Sequence, residues 1–317
     1  NTAEDTDLVI EAVFEDFEIK TAVFKTLDEA CGENTILASN TSSLSVNALA
    51  EATGRPDRFV GLHFFYHPAK NRLVEVIPAA STSQQSIDRV VQYCKMLGKV
   101  VIVCGDRPGF VVNRFFVPWL NEACLLLEEG HGNAAQIDAI ACKAFRIGLG
   151  PFGLMNLTGP PIALHSTDYL AEQLDTPRYN GAANLRDLVS DNRMWEIEAD
   201  ASYSEEQYQV ISRRLYGVVF GVAAQIVDEG VCSMEDVDRG AKVGLRWARG
   251  PFELMNKVGV QESFEMAKEY QSLCQNVDKN SGWTIPDFFF NQAENDTPWY
   301  FSYVDTQIND GIATITI

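Results

Sequence analysis

Two stretches of this chain, one hundred residues apart, carry the same residues. Glu129-Gly130, Asp138, Ala141, Arg146 and Gly150-Pro-Phe152 recur as Glu229-Gly230, Asp238, Ala241, Arg246 and Gly250-Pro-Phe252. Leu154-Met-Asn156 and Gly159 recur as Leu254-Met-Asn256 and Gly259, with no gap between the copies. A period of this kind constrains the fold more than any single motif. Each copy is one supersecondary unit, and such units bury their apolar faces on one another. The apolar positions of Phe110 to Leu127 recur at helical spacing, and Gly130 stops the run as a C-cap does. Pro118 predicts a kink in that helix. The repeat therefore predicts two duplicated helical units, joined by a polar, irregular connection over about 175–200.

The first third has a different texture. Asp7 to Val13, Thr35 to Ser39, Phe59 to His63, Leu73 to Ile77 and Val100 to Cys104 read as strands. Helical spacing is seen over Phe17 to Ala30, Val46 to Ala52 and Ser83 to Leu97. This alternation predicts a mostly parallel α/β sheet. Strand signal then falls away after Gly105-Asp-Arg-Pro108, where a domain boundary is expected. It returns only in Tyr303 to Ile308 and Ile312 to Ile317, a hairpin pattern around Asn309-Asp310-Gly311.

A length of 317 residues fits about two domains of ~150 residues. Lys and Arg total 25 against 44 Asp and Glu, so the net charge is −19. Such a surface repels phosphate backbones, and neither nucleic acid nor an anionic membrane is expected as a partner. The longest nearly continuous apolar run, Gly217 to Val227, is shorter than the ~20 residues of a membrane span. The seven cysteines are odd in number and none has C-x-x-C spacing, which points to a reducing, cytoplasmic setting without disulfides or zinc. No His, Cys and carboxylate cluster has metal spacing. The chain opens at Asn1 without Met and stops at Ile317 inside a strand-like run, as a piece of a longer chain would.

Ligands of open parallel sheets bind beyond the carboxyl ends of the strands. The polar residues expected there are Asn40-Thr-Ser42-Ser43, His63, Glu75 and, opening the first helix of the second domain, Asn113. The ordinary histidine pKa of ~6.5 suits a general acid or base, so His63 is a candidate. A buried structural histidine beside Phe64 and Phe65 is the plainer reading. Glu75 lies between Val74 and Val76 and can fix the tautomer of His63; alternatively it is a strand carboxylate facing solvent. Ser42 and Asn113 can donate to a substrate oxygen, or serve as a turn or cap residue and a surface helix residue. His67, His131 and His165 are assigned no role.

Four motifs in register carry a resemblance. Ala38-Ser-Asn-Thr-Ser-Ser-Leu44, Gly61-Leu-His-Phe-Phe65, Leu73-Val-Glu-Val-Ile77 and Pro108-Gly-Phe-Val-Val-Asn-Arg114 closely resemble the NAD-dependent L-3-hydroxyacyl-CoA dehydrogenases. Gly150-Pro-Phe-Gly-Leu-Met155 and its repeat at Gly250 are similar to that family's helical domain, and the resemblance covers about residues 7–270. It implies an N-terminally truncated α/β Rossmann-like domain followed by an all-α domain of two duplicated units. It implies that His63 takes the proton of a 3-hydroxyl as hydride leaves for NAD, that Glu75 orients that histidine, and that Ser42 and Asn113 hold the oxygens of an acyl-CoA substrate. It sets Glu15, Lys20, Asn40 and Ser42 on the cofactor side. The physical logic agrees, because an imidazolium needs a carboxylate and a developing oxyanion needs donors already in place.

Three departures stand beside the matches. Tyr66-His67-Pro68 replaces the Asn-Pro usual in the family after His-Phe-Phe, and Arg213 stands where the first copy has Asn113. The α/β third also contains no strand that opens onto a Gly-x-Gly-x-x-Gly turn with an acid about twenty residues on. The doubled helical domain resembles the long multifunctional fatty-acid oxidation proteins, and the closing hairpin resembles the first strands of an enoyl-CoA hydratase (crotonase) domain. The expected boundaries are 1–106 for the truncated dinucleotide-binding domain, 107–200 and 201–285 for the helical units, and 286–317 for a linker and the start of a crotonase-like domain. The apolar repeats permit a homodimer. Two other readings are an enzyme acting on free β-hydroxyacids, which generally use a lysine as acid and base, and an inactive structural piece.

Overall fold

The computed structural model describes residues 4–302, 304–309 and 312–316. Five strands, β1 (Leu8–Glu11), β2 (Ile36–Ser39), β3 (Phe59–Phe64), β4 (Leu73–Pro78) and β5 (Val100–Val103), form one sheet in that spatial order. Three of the four pairings are parallel; β3 and β4 run antiparallel. Apart from Ser39, His63 and Glu75 the central strands are apolar, because helices cover both faces, as mostly parallel sheets require.

Side chains alternate between the two faces. Ile36, Ala38, Val60, Leu62, Val74 and Val76 pack on α3 (Gln84–Met96) through Val90 and Cys94. On the other face Leu37, Phe59, Leu73, Ile77 and Ile102 meet α1 (Phe17–Ala30), α2 (Val46–Glu51) and the helical half. His63 and Glu75 fall on this second face by the same period of two, so both point toward the helical half. Asp16, Ser45 and Ser83 cap α1, α2 and α3 with their side chains. Gly61 lets α2 approach closely, since a Cβ there would meet Val46 at 2.7 Å.

The first helical unit contains α4 (Val112–Glu128), α5 (Ala134–Phe145), α6 (Pro151–Thr158), α7 (Pro160–Gln173) and α8 (Ala183–Ser190). The second contains α9 (Glu205–Asp228), α10 (Met234–Arg239), a π-helical turn (Gly240–Gly244), α11 (Pro251–Val258), α12 (Val260–Val277) and α13 (Asp287–Glu294). α4 runs through Pro118 without interruption. The segment 175–200, expected to be irregular, holds a 3-10 turn and α8, whose Leu185 and Leu188 are buried. Helix α9 is long and apolar enough to cross a membrane by length and composition, yet 72% of its most apolar window is buried inside the fold. It is the core helix on which α4 and α12 pack.

The two units are closed by the same latch. Asn156 donates to the carbonyl of Trp195 and accepts from its amide, both at 2.9 Å, and Trp195 meets Phe152 edge-on. Asn256 does the same with Trp299 at 2.9 and 2.7 Å, and Trp299 meets Phe252 edge-on. Residues 287–299, expected to begin a linker, therefore pack back on the second unit. Beyond them β6 (Asp305–Asn309) and β7 (Ile312–Thr316) form an antiparallel pair. Most of the expected turn, Asp310 and Gly311, and the outer ends of both expected strands, Tyr303 and Ile317, lie outside the described residues.

Candidate active site

The antiparallel register sets His63 directly opposite Glu75. Twelve residues of sequence thus become one cross-strand pair. His63 Nδ1 lies 2.6 Å from Glu75 Oε2, and both side chains are buried. The other oxygen, Oε1, accepts from the backbone amides of Val112 at 2.9 Å and Val111 at 3.3 Å. Those amides are aimed by a tight entry to α4. Gly109 and Phe110 both have positive φ, 76° and 47°, and a Cβ on Gly109 would lie 3.0 Å from the Arg114 backbone. A left-handed phenylalanine is uncommon and persists only where its surroundings hold it. Here Phe110 is buried against the His63 ring, and Phe65 flanks the same ring at 4.5 Å between centroids. Asn113, half-buried, follows one residue after the amides that hold Glu75. With Nδ1 on the carboxylate, Nε2 makes no hydrogen bond among the described residues. The arrangement is that of a base oriented by an acid, with its second nitrogen directed away from that acid.

The carboxyl ends of β1 and β2 supply the rest. Asn40 Oδ1 accepts from the Phe64 amide at 3.1 Å, which ties the end of β2 to the strand carrying His63. Glu15 is a cradle for the loop after β2: one oxygen accepts from the Thr41 hydroxyl at 2.6 Å and from the Ser42 and Ser43 amides at 2.7 and 3.0 Å. Burial pushes its carboxyl upward, but the bonds from Thr41, Ser42 and Ser43 and the Lys20 ammonium together hold it below the usual carboxylate range. Ser42, whose amide Glu15 fixes, is exposed.

Lys20 is 0% exposed. Its ammonium contacts Glu11 at 2.7 Å and Glu15 at 3.3 Å and the carbonyls of Val13 and Asn40 at 3.5 Å. It offers no surface to a ligand, so its part on the cofactor side is indirect, bracing Glu15 from inside. Glu11, not singled out from the sequence, is the hub of this brace and also accepts from Ser39 at 2.6 Å. Its signal was a lone carboxylate closing an apolar strand nine residues before a lysine, one turn into a helix. His67 and His165 are exposed and His131 is half-exposed, away from the His63 pair. Among the described residues no group of three metal-ligating side chains forms.

A literal Gly-x-Gly-x-x-Gly string does occur, at Gly148, Gly150 and Gly153, in the helical half. It follows no strand, and the helix it opens is already capped by a carboxylate. Asp138 accepts from the Phe152 and Gly153 amides at 2.8 and 2.9 Å, and a Cβ on Gly150 would overlap Asp138. The glycines here make room for an internal acid where the dinucleotide motif makes room for a phosphate.

Residues 1–107 match the model of the 3-hydroxyacyl-CoA dehydrogenase NAD binding domain, and residues 109–205 and 211–284 each match that of the 3-hydroxyacyl-CoA dehydrogenase C-terminal domain. The chain belongs to the 3-hydroxyacyl-CoA dehydrogenase family. Within this family it is 38% identical over 203 residues to human mitochondrial hydroxyacyl-coenzyme A dehydrogenase, covering 62% of this chain and 63% of that protein. It is 32% identical over 296 residues to the fatty acid oxidation complex subunit alpha of Shewanella loihica, covering 84% of this chain and 42% of the relative. The chain thus spans less than two thirds of the length of these relatives. The solved (S)-3-hydroxybutyryl-CoA dehydrogenase of Ralstonia eutropha is 36% identical, with a TM-score of 0.59 over 62% of this chain and 69% of that one. The 3-hydroxybutyryl-CoA dehydrogenase of Escherichia coli shares the fold across 93% of this chain and 83% of that one, with a TM-score of 0.81 at 20% identity.

Proposed function

We propose that this chain carries the reacting groups of an enzyme that interconverts L-3-hydroxyacyl-CoA and 3-ketoacyl-CoA thioesters with NAD. The observation that carries the reading is the His63–Glu75 pair, buried, 2.6 Å apart and locked by the α4 amides. His63 accepts the proton of the 3-hydroxyl at Nε2. Glu75 holds Nδ1 protonated and balances the imidazolium that results. It stays in place as that charge forms, because two backbone amides hold its other oxygen. Asn113 and Ser42 supply donors to the substrate oxygens on which charge develops.

The residues present fit the nicotinamide end of NAD. The exposed Ser42 and half-buried Asn40 stand at the carboxyl ends of parallel strands, beside the exposed apolar Val13 and Phe14. When bound, NAD takes up the hydride released from C3. Glu15 keeps the 41–43 loop in register for this contact, and Phe65 and Phe110 pack on the histidine ring.

The test uses the full-length protein. His63→Gln keeps the size and polarity of the side chain and removes the base. Acetoacetyl-CoA reduction is expected to fall ~10²-fold or more, the scale of general-base catalysis. Activity within threefold of wild type refutes the reading. Comparison of the thioester with the free acid tests the substrate class in the same assay.

The finer reading is a dehydrogenase fused to an enoyl-CoA hydratase. Two observations support it: the similarity to long alpha subunits of fatty acid oxidation complexes, and the β6–β7 hairpin that follows the second helical unit. Hydration of crotonyl-CoA by the full-length protein tests it. Seven free cysteines, five of them buried, support a reducing compartment such as the cytoplasm.

A further inference from the structure

The duplication lets one unit be read against the other. In the second unit Arg213, on α9, forms ion pairs with Glu262 and Glu269, both on α12; the Glu269 contact is 2.7 Å. The same positions in the first unit are Asn113 on α4, and Ile162 and Tyr169 on α7. The helices correspond one to one, so Asn113 faces the side of α7 that carries Ile162 and Tyr169. Direct contacts agree. A Cβ on Gly109, just ahead of α4, would meet Leu170 of α7 at 3.1 Å, and the Tyr169 hydroxyl donates to the carbonyl of Ser43. This face of α7 therefore starts at the 41–43 loop and passes Asn113. It ends two helical turns away, about 10 Å, at Ile162.

What is sealed by charge in the second unit is open and apolar in the first. Ile162 is 63% exposed. Leu157, at the end of α6 across the Gly159 corner, is 57% exposed, and its counterpart is Lys257. Isolated exposed aliphatic residues are ordinary. Two at one corner, on the helix face that passes Asn113 and with charged residues at both equivalent positions, call for an apolar occupant.

We propose that Ile162 is a specificity-determining residue, against which the acyl chain of the substrate lies as it leaves the His63–Asn113 centre. The inference rests on the reading given under Proposed function. Short acyl groups end before Ile162, and longer ones desolvate it. Their preference then scales with apolar area removed from water.

The test is the kinetics of full-length protein on 3-ketoacyl-CoA thioesters of four and ten carbons. Ile162→Glu copies the second unit at an exposed position. It is expected to lower kcat/KM tenfold or more for the ten-carbon substrate, through KM, and less than threefold for the four-carbon one. Ile162→Met, which keeps an apolar surface, is expected to restore the ten-carbon value to within threefold of wild type. An unchanged ratio between the two chain lengths, or an equal loss on both, overturns the assignment. If wild-type protein reduces neither thioester, the reading of the reaction fails first and this inference with it.

Discussion

The two helical units share a scaffold and differ at a few charged positions. Both cap the helix after Gly-Pro-Phe with an internal aspartate, Asp138 or Asp238. Both close on a tryptophan through an asparagine. They also exchange a pair of ion pairs: Arg114 of the first binds Glu229 of the second, and Arg214 of the second binds Glu129 of the first. Such reciprocity marks a pseudo-twofold contact, as in an isologous interface. The differences sit at Asn113 against Arg213, Glu122 against Val222 and Ile162 against Glu262. The first copy carries a neutral donor and an exposed isoleucine at these positions. The other fills the same place with an ion-pair cluster. The comparison indicates that duplication supplied a packing partner, and that only the first copy carries an asparagine at the proposed substrate contact.

The sharpest way to break this comparison is to give the first unit the residue of the second. Asn113→Arg replaces the compact neutral amide on the proposed oxyanion side with a longer, permanently charged guanidinium, which misplaces the donor and opposes the imidazolium that His63 forms. A fall of ~10²–10³ in kcat/KM is expected, the scale for losing one such donor. The reverse change, Arg213→Asn, is the control. It breaks only partly exposed ion pairs and is expected to leave kcat/KM within twofold. If both changes impair turnover equally, the two units share the chemistry and the comparison fails.

A second test concerns stability. Glu122 is buried and holds Arg178 at 2.8 Å and Arg214 at 2.7 Å, each itself largely buried. Tyr270 lies over the Arg178 guanidinium. Glu122→Val copies the second unit and leaves two arginines without their main counter-charge. Removing one partner of a buried pair costs about 3–5 kcal/mol. The expected result is a loss of that order in urea denaturation, without a change in the proposed chain-length preference.

The sheet and the repeat were legible because both are written locally. Period-two and helical spacing fix the elements, and the 100-residue identity fixes the duplication. The His63–Glu75 pair was legible as a candidate only; the antiparallel register of β3 and β4 turns it into a contact. Asn113 and Ser42 are candidates through motifs alone; in the fold Glu15 fixes the Ser42 amide, and Asn113 follows the two amides that lock Glu75. The resemblance sets Lys20 on the cofactor side; that its ammonium is fully buried against Glu11 and Glu15 is a property of the assembled sheet, and no local pattern reveals it. Glu11, Glu122 and the Arg114–Glu229 exchange were missed for the same reason. They join residues 9 to 115 positions apart, and each looks like an ordinary charge in its own segment. The segment 175–200 was called irregular because its polar composition hides the two leucines that α8 buries.

The smallest expected difference between the units is in their pH response. Asp138 and Asp238 each accept two backbone amides at a helix start, which by itself favours the ionised form. Burial outweighs those bonds in both, and pushes Asp138 up to about 6 and the more deeply buried Asp238 up to about 7. Unfolded, an aspartate titrates near ~3.9. Between about pH 4 and the folded value, the folded chain therefore holds protons that the unfolded chain has released. Stability then falls as pH rises through that window. The fall levels off near pH 6 for Asp138 and near pH 7 for Asp238. Replacing each by Asn keeps one acceptor and removes the titration. Urea denaturation from pH 4 to 8 is expected to show the slope reduced in both variants. The reduction for Asp238→Asn should extend about one pH unit higher, by on the order of 1–2 kcal/mol. If the slope is the same in wild type and both variants, burial does not govern these acids. In that case the shared cap is stabilised at neutral pH by the helix start, in one unit as in the other.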